Sequence, residues 1–274
     1  MIRFFDGGMG SMLNLAAGEL PEKLNISEPE RVFAVHKGYA DAGAEFITAN
    51  TFGANSLKYD NVDELVKAGV ALAKKAGKYV ALDIGPTGKL LKPMGDLEFE
   101  RAIELFSEVV RAGKDGSDVA IIETMSDMYE LKAAVIAVKE NSDLPIITSM
   151  IFDESGRLLT GGDVKSAVAM LEGLRVDAIG FNCGLGPKQM IPLVKELREC
   201  TSLPILVMPN AGLPESVDGK TVYNVSPDEF AQDMREIAKL GVSILGGCCG
   251  TTPKHIAKMI ELCKDIPDNV PEKK

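Results

Sequence analysis

The sequence lacks several features that would place it among common classes of binding or membrane protein. Its 274 residues carry a formal net charge of −10 and no basic run, which argues against a sequence-independent nucleic-acid surface. No apolar stretch approaches the roughly 20 residues that cross a bilayer. A Walker A sequence is absent, and Gly7-Gly8-Met9-Gly10-Ser11 has the wrong spacing for a dinucleotide-binding fingerprint. We therefore expect neither a nucleic acid nor a membrane as a partner.

Cysteine is also scarce, and its five residues do not form the pattern of a disulfide framework. The count is odd and the chain is long, and we expect no secretory leader because no charged segment followed by an apolar run begins the chain. The expected compartment is the cytoplasm, where thiols stay reduced. Cys200 and Cys263 lie near the ends of helical patterns and are expected to pack as small hydrophobes.

The other three cysteines each lie in a glycine-rich turn at the end of an apolar run. Cys248 and Cys249 stand side by side between glycines, and Cys183 ends the run 176–183. Adjacent side chains on a continuous strand point to opposite faces, so both sulfurs reach one ion only where the strand stops, which the glycines permit. Three cysteines at two strand ends predict a Cys₃ zinc site with one position open to substrate.

Short apolar runs alternate with amphipathic segments eight times along the chain. The runs are 3–6, 45–50, 79–84, 119–123, 145–151, 178–183, 204–208 and 242–246. Eight strand–helix units in a chain of this length match a (β/α)₈ (TIM) barrel of the α/β class, whose usual size is about 250 residues. An open doubly wound sheet is the alternative. We expect one barrel domain over residues 1–266 and a polar, frayed tail over 267–274.

Capping signals mark several of the expected helix ends. N-caps are expected at Ser27, Ser226 and Thr252, each close to a proline. Helix-ending glycines are expected at Gly43, Gly77 and Gly241. In a barrel the loops after the strands form the active face, and the unusual polar residues of this chain fall there.

Five motifs together resemble the zinc-dependent homocysteine S-methyltransferases, over residues 2 to about 265. They are Asp6-Gly7-Gly8-Met9-Gly10, Thr48-Ala49-Asn50-Thr51-Phe52, Glu123-Thr124-Met125-Ser126, Gly180-Phe181-Asn182-Cys183 and Gly246-Gly247-Cys248-Cys249-Gly250. The phrases Gly85-Pro86-Thr87-Gly88 and Pro93-Met94-Gly95-Asp96 are most similar to the homocysteine-binding module of cobalamin-dependent methionine synthase. The resemblance implies zinc held by Cys183, Cys248 and Cys249, and methyl transfer to the sulfur of L-homocysteine, giving methionine.

The resemblance also implies a substrate site on the same face of the barrel. The ammonium of homocysteine is expected at Asp6 or Glu123, and its carboxylate at backbone amides near Gly7. Further contacts, for which ordinary loop hydrogen bonding is the alternative, are predicted at Thr51, Asn182 and Asn210. Asp83 is expected to serve loop structure. Zinc would hold the substrate sulfur as a thiolate, which is the nucleophilic form.

The expected methyl donor is methylcobalamin or a corrinoid protein on a separate chain, because this chain stops shortly after its eighth helical pattern. The alternatives are a small-molecule donor such as S-methylmethionine, and a chain that is an excised module of a longer enzyme. Three other interpretations compete with methyl transfer. They are a closed structural zinc site completed by His255, a zinc-stabilised non-catalytic subunit of a methyltransferase complex, and a phosphate-binding barrel enzyme using Gly246 and Gly247. The helix start at Pro253 is expected to turn His255 outward, which disfavours the closed site. No strand carries the lysine of a Schiff-base aldolase.

Overall fold

A computed structural model describes residues 1–15, 18–217 and 220–267, and most of its strands form one closed parallel barrel. The strands are β1 (Arg3–Phe4), β2 (Phe46–Thr48), β3 (Tyr79–Ile84), β4 (Val119–Met125), β5 (Ile146–Met150), β6 (Ala178–Asn182), β7 (Ile205–Met208), β8 (Glu215–Val217), β9 (Lys220–Val222) and β10 (Ile244–Leu245). The barrel order is β1-β10-β7-β6-β5-β4-β3-β2, and a parallel bridge from Phe5 to Phe46 closes the ring. The predicted barrel is thus confirmed. The remaining two strands, β8 and β9, form an antiparallel hairpin outside it.

Helices follow the strands and cover the outside of the barrel. They are α1 (Met9–Leu13), α2 (Leu24–Ser27), α3 (Pro29–Asp41), α4 (Val62–Lys75), α5 (Phe99–Gly113), α6 (Met128–Asn141), α7 (Val164–Gly173), α8 (Pro187–Cys200), α9 (Pro227–Ala238) and α10 (Pro253–Cys263). The short α1 and α2 in the first connection, and the hairpin after β7, were not predicted from the sequence. None of the described helices is long and apolar enough to span a bilayer.

Strict alternation along the strands separates two apolar cores. On β3, Val80, Leu82 and Ile84 face the helices, whereas Ala81 packs inside the barrel with Ile121 of β4. Side chains two positions further along a strand share a face. The same alternation therefore places Asp83 above Ala81 and Glu123 above Ile121, at the carboxyl end of the barrel interior.

Most of the predicted helix ends are confirmed. Ser226 accepts a hydrogen bond from the Glu229 amide at 3.3 Å, and Thr252 forms a capping box with His255. The glycines predicted to end helices have positive φ, at Gly43, Gly77 and Gly241. The expected cap at Ser27 is wrong: that residue ends α2, its hydroxyl donates to the Lys23 carbonyl, and Glu28 precedes α3. Of the predicted tail 267–274, all but Pro267 lie outside the described residues.

The buried His36 on α3 is expected to make the folded protein less stable in acid. Its side chain is fully buried, neither ring nitrogen has a hydrogen-bond partner within the described part of the chain, and burial lowers its pKa from 6.5 to about 4. The unfolded chain therefore binds the proton more readily, so stability present above pH 6.5 is lost as pH falls towards 4. We expect this residue to account for up to about 3 kcal/mol of that loss.

Urea unfolding at pH 7 and pH 4.5 of the wild type and of His36→Leu measures this contribution. The variant should lose less unfolding free energy between the two pH values, whatever its stability at pH 7. Equal pH-dependent losses in both proteins would show that His36 does not titrate in this range.

Candidate active site

Three cysteines converge at the carboxyl end of the barrel. Cys183 directly follows β6, while Cys248 and Cys249 follow β10 after two glycines. Their sulfurs all lie within 4.8 Å of one another, and those of Cys183 and Cys249 are 3.9 Å apart. Because both strands have ended before the cysteines, the adjacent sulfurs share one side, as the sequence predicted.

The backbone around Cys183 adopts an unusual conformation. Cys183 has φ 57°, in the left-handed region that non-glycine residues rarely occupy, and Gly184 continues with φ 69°. Two hydrogen bonds hold this turn: the Cys183 amide donates to the Met208 carbonyl at 3.2 Å, and the Leu185 amide donates to the Cys183 carbonyl at 2.7 Å. Such strain, on the order of 1–3 kcal/mol, persists where surrounding structure enforces it, typically at functional sites.

The spacing of the three sulfurs fits a metal ion. Tetrahedral zinc with Zn–S bonds of about 2.3 Å separates its sulfur ligands by about 3.8 Å. The measured separation of 3.9 Å between the Cys183 and Cys249 sulfurs matches that spacing. Cys183, Cys248 and Cys249 can therefore bind a metal, whereas Cys200 and Cys263 lie on α8 and α10 outside the cluster, as predicted.

The pKa values of the three thiols also favour binding of a cation among the sulfurs. Hydrogen bonds from Cys183 and then Cys248 lower the pKa of Cys249, so one thiolate forms readily. Contacts with Cys183 and then Cys249 raise the pKa of Cys248, because a second negative sulfur would lie beside the first. Full deprotonation of the cluster therefore requires a positive charge among the sulfurs.

Asn182 links the cysteines to a neighbouring carboxylate. Its side chain is fully buried, and its Oδ1 accepts from the Thr124 amide at 2.8 Å and the Ser149 hydroxyl at 2.7 Å. Its Nδ2 donates to Thr124 Oγ1 at 2.7 Å and also lies 3.4 Å from Glu123 Oε2 and 3.9 Å from Cys248 Sγ. The amide is therefore held in one orientation beside both functional groups.

Three acidic side chains meet near the same place without a cationic partner. Asp6, Asp83 and Glu123 take part in none of the ion pairs found in the described ranges. Burial raises the pKa of Asp6 to about 7, although hydrogen bonds from the Thr48 hydroxyl and amide oppose the rise. Burial, followed by the charge of Asp6, raises the pKa of Glu123. A cationic ligand would relieve this arrangement by stabilising the ionised carboxylates.

A cavity of about 250 Å³ connects the acids to the cysteines. The predicted site residues that line it are Asp6, Gly7, Glu123, Cys183, Cys248 and Cys249. Gly7 and Gly8 permit the first loop to approach the loop after β10, since a Cβ on Gly8 would lie 2.6 Å from the Cys248 carbonyl oxygen. The Gly8 amide donates to Thr251 Oγ1 at 3.1 Å, so this amide is already engaged.

The other predicted contacts lie outside the cavity lining. Thr51 is buried and donates to the Asp83 carbonyl at 2.8 Å, and Asn182 lies in the network behind the cysteines. Asn210 is buried, and its Oδ1 has no partner among residues 1–15, 18–217 and 220–267. Direct substrate contact by these three residues stays a prediction.

The structure adds two lining residues that sequence reasoning had not assigned to the site. Thr48 holds both carboxylate oxygens of Asp6, and Asp83 Oδ1 is buried without a hydrogen-bond partner in the described ranges. The alternation of β3 could have indicated that Asp83 faces the barrel interior. No sequence pattern indicated that Thr48 binds Asp6, because this contact depends on how β1 and β2 lie together.

His255 does not complete the metal site. It is buried rather than turned outward as its place in the first helical turn suggested. Its Nδ1 lies 2.9 Å from Thr252 Oγ1 and its Nε2 lies 3.0 Å from the Val225 carbonyl oxygen. Because Nδ1 is engaged in the cap and Nε2 faces the Val225 carbonyl, His255 is not grouped with the three cysteines in the described part of the chain.

Comparisons with known proteins match nearly the whole barrel. A sequence model of the family "Homocysteine S-methyltransferase" matches residues 3–263. Methionine synthases from Mycobacterium leprae and Mycobacterium tuberculosis are each 32% identical over 95% of this chain. The chain spans only 24% of the length of these curated relatives. The metallated form of the homocysteine methyltransferase MmuM from Escherichia coli has the same fold, with a TM-score of 0.80 at 23% identity over 94% of this chain and 95% of that one.

Proposed function

The chain belongs to the homocysteine S-methyltransferase family, and we propose on this basis that it is a zinc-dependent enzyme that methylates L-homocysteine to methionine. The observation that supports this most directly is one cavity lined by three convergent cysteine sulfurs and by the buried carboxylates of Asp6 and Glu123. Thiolates suit zinc, and paired carboxylates suit an ammonium group. An amino acid with a thiol side chain satisfies both ends of the cavity.

Cys183, Cys248 and Cys249 would hold the zinc and leave one position for the substrate sulfur. When bound, the zinc supplies a positive charge that lowers the pKa of the substrate thiol, so that the thiolate is present at neutral pH. Three cysteine ligands leave the centre electron-rich, which preserves the nucleophilicity of that thiolate. A reducing cytoplasm would keep the cysteines out of disulfides, as they are here.

The carboxylates would orient the other end of the substrate. Glu123 and Asp6 accept hydrogen bonds from the ammonium, and its charge favours their ionised forms despite burial. Thr48 on β2 holds Asp6 in place, and Asn182 on β6 holds Glu123. With both ends of homocysteine fixed, its sulfur would point towards the cavity mouth. In-line displacement requires the methyl donor to lie at that mouth.

The surface around that mouth supports a large donor. A cavity of about 250 Å³ is too small to enclose a corrinoid, so such a donor must approach from outside. Of the ten large apolar side chains that are exposed in the described ranges, eight lie in segments after strand ends, namely Ile26, Phe52, Leu57, Leu90, Met94, Tyr129, Leu159 and Leu213. Exposed apolar groups gathered on one face mark interaction surfaces. Leu90 and Met94 belong to the connection 85–96, which would form part of the docking rim.

We therefore propose methylcobalamin, or a methylated corrinoid protein on a separate chain, as the donor. With this donor the cobalt–carbon bond would break, the methyl group would pass to the homocysteine sulfur, and the electron pair would stay on cobalt as cob(I)alamin.

The test is anaerobic incubation of zinc-loaded protein with methylcobalamin and homocysteine, followed by absorbance. We expect loss of the methylcobalamin spectrum and formation of methionine, both dependent on homocysteine and absent in Cys183→Ala. Parallel reactions contain S-methylmethionine or betaine as the methyl donor in place of methylcobalamin. Rapid turnover with either of these and none with methylcobalamin or a methylated corrinoid protein would place the chain with small-molecule donors. Zinc binding with no turnover on any donor would indicate a non-catalytic subunit.

A further inference from the structure

We propose that Tyr223 is a positioning residue of the cysteine cluster, and that its hydroxyl donates a hydrogen bond to the sulfur of Cys249. This role presupposes the metal site proposed above. Tyr223 lies immediately after β9, in the hairpin connection between β7 and α9. Its hydroxyl lies beside the sulfur of Cys249, which brings an O–H group from the hairpin next to a ligand at the barrel end.

The ring of Tyr223 is seated directly on the backbone next to that ligand. A Cβ added to Gly250 would lie 2.4 Å from Tyr223 Cγ and 2.5 Å from its Cβ, and Gly250 has φ +77°. Any side chain at position 250 would therefore displace the ring. The glycine after the cysteine pair thus has two roles: it allows the positive φ of the turn, and it makes room for this tyrosine.

Hydrogen bonds on both sides of Tyr223 fix its position relative to the cysteines. The Ala211 amide donates to the Cys249 carbonyl at 2.9 Å, and the Val225 amide donates to the Ala211 carbonyl at 3.0 Å. The Val225 carbonyl in turn lies 3.0 Å from Nε2 of His255 on α10. The base of the hairpin is therefore tied to the same loop whose sulfur the tyrosine contacts.

Each sulfur of the cluster has an N–H or O–H group from outside the cluster beside it. The Gly184 amide lies beside the Cys183 sulfur, Asn182 Nδ2 lies 3.9 Å from the Cys248 sulfur, and the Tyr223 hydroxyl lies beside the Cys249 sulfur. Hydrogen bonds to thiolate ligands withdraw negative charge and orient the ligand, and such outer partners tune metal affinity by roughly 10- to 100-fold. Among these donors, the tyrosine hydroxyl can be removed with little change in side-chain shape.

Tyr223→Phe separates the hydrogen bond from the packing, because the ring on Gly250 remains. We expect the variant to bind zinc at least about tenfold more weakly in competition with a chelator, since one hydrogen bond to a charged ligand is lost. With Co²⁺ as a probe, its sulfur-to-metal charge-transfer band should move to longer wavelength, because the Cys249 sulfur carries more charge. Tyr79→Phe, which removes an exposed hydroxyl at the amino end of β3, is the matched control and should leave both values unchanged.

Three outcomes would contradict this role. Zinc affinity and a Co²⁺ spectrum equal to the wild type in Tyr223→Phe would overturn the inference and leave the proposed metal site intact. Loss of affinity in Tyr223→Leu but not in Tyr223→Phe would assign the effect to ring packing alone. Failure of the wild type to bind either metal through sulfur would instead overturn the proposed function, and the role of Tyr223 with it.

Discussion

Alanine in place of Cys183, Cys248 or Cys249 is expected to abolish tight zinc binding and methyl transfer in each single variant. Structural zinc sites bind with about 10–16 kcal/mol over four ligands, so one ligand accounts for about 3 kcal/mol, or more than a hundredfold in affinity. The remaining two sulfurs would also lose the charge neutralisation that allows both to ionise. Zinc content after dialysis against a chelator measures the loss directly.

Cys200→Ala and Cys263→Ala are the matched controls, because these thiols lie on helices outside the cluster. Both variants should retain zinc and activity, although Cys263→Ala removes a buried group and should lower stability. X-ray absorption of the wild type should show three sulfur ligands alone and four with homocysteine. Full zinc occupancy in all three cluster variants, or a first shell that homocysteine leaves unchanged, would contradict an open three-cysteine site.

Glu123→Gln and Asp6→Asn are expected to weaken homocysteine binding by about 1.5–3 kcal/mol each while zinc remains bound. This is the range for a hydrogen bond to a charged group, and it corresponds to roughly 10- to 150-fold in dissociation constant. Glu123→Gln is the sharper test, since Asp6 also anchors the amide and hydroxyl of Thr48. Calorimetry on the zinc-loaded proteins gives the affinities.

A substrate analogue without the amino group separates recognition from general damage. 4-Mercaptobutyrate keeps the thiol and the carboxylate, so the wild type and both variants should bind it with similar affinity. Glu64→Gln changes an exposed acid on α4 and should behave as the wild type with both ligands. Equal losses for homocysteine and the analogue would mean that the carboxylates support the loops and do not bind the ammonium.

The repeating pattern of the chain was sufficient to predict the barrel, because the apolar runs are strands, most of which are buried on both faces. Closure of the parallel ring then brings all strand ends to one face whatever the details of the loops. For the same reason the convergence of Cys183 with Cys248 and Cys249 was predictable: residues far apart in sequence follow strands that end at the same rim. The capping glycines and the prolines after Ser226 and Thr252 were readable because they act within a few residues.

Local patterns misled where a neighbouring element competed for the same residues. Ser27 has the sequence of a helix cap, but a separate short helix ends there and uses its hydroxyl. His255 was expected to point outward from a first helical turn, yet it serves as the partner in the capping box of Thr252 and is covered by the hairpin connection through Val225.

The sequence by itself determined the number of barrel strands, the alternation that faces Asp83 and Glu123 inward, and the three sulfurs available to a metal. These properties follow from periodicity and from chain breaks at glycine, which act over a few residues. Only the tertiary structure decided which acids stand near those sulfurs, that Thr48 holds Asp6, and that Tyr223 rests on Gly250 beside Cys249. Those contacts join segments from different parts of the chain, and their distances depend on how loops pack together, which no local pattern encodes.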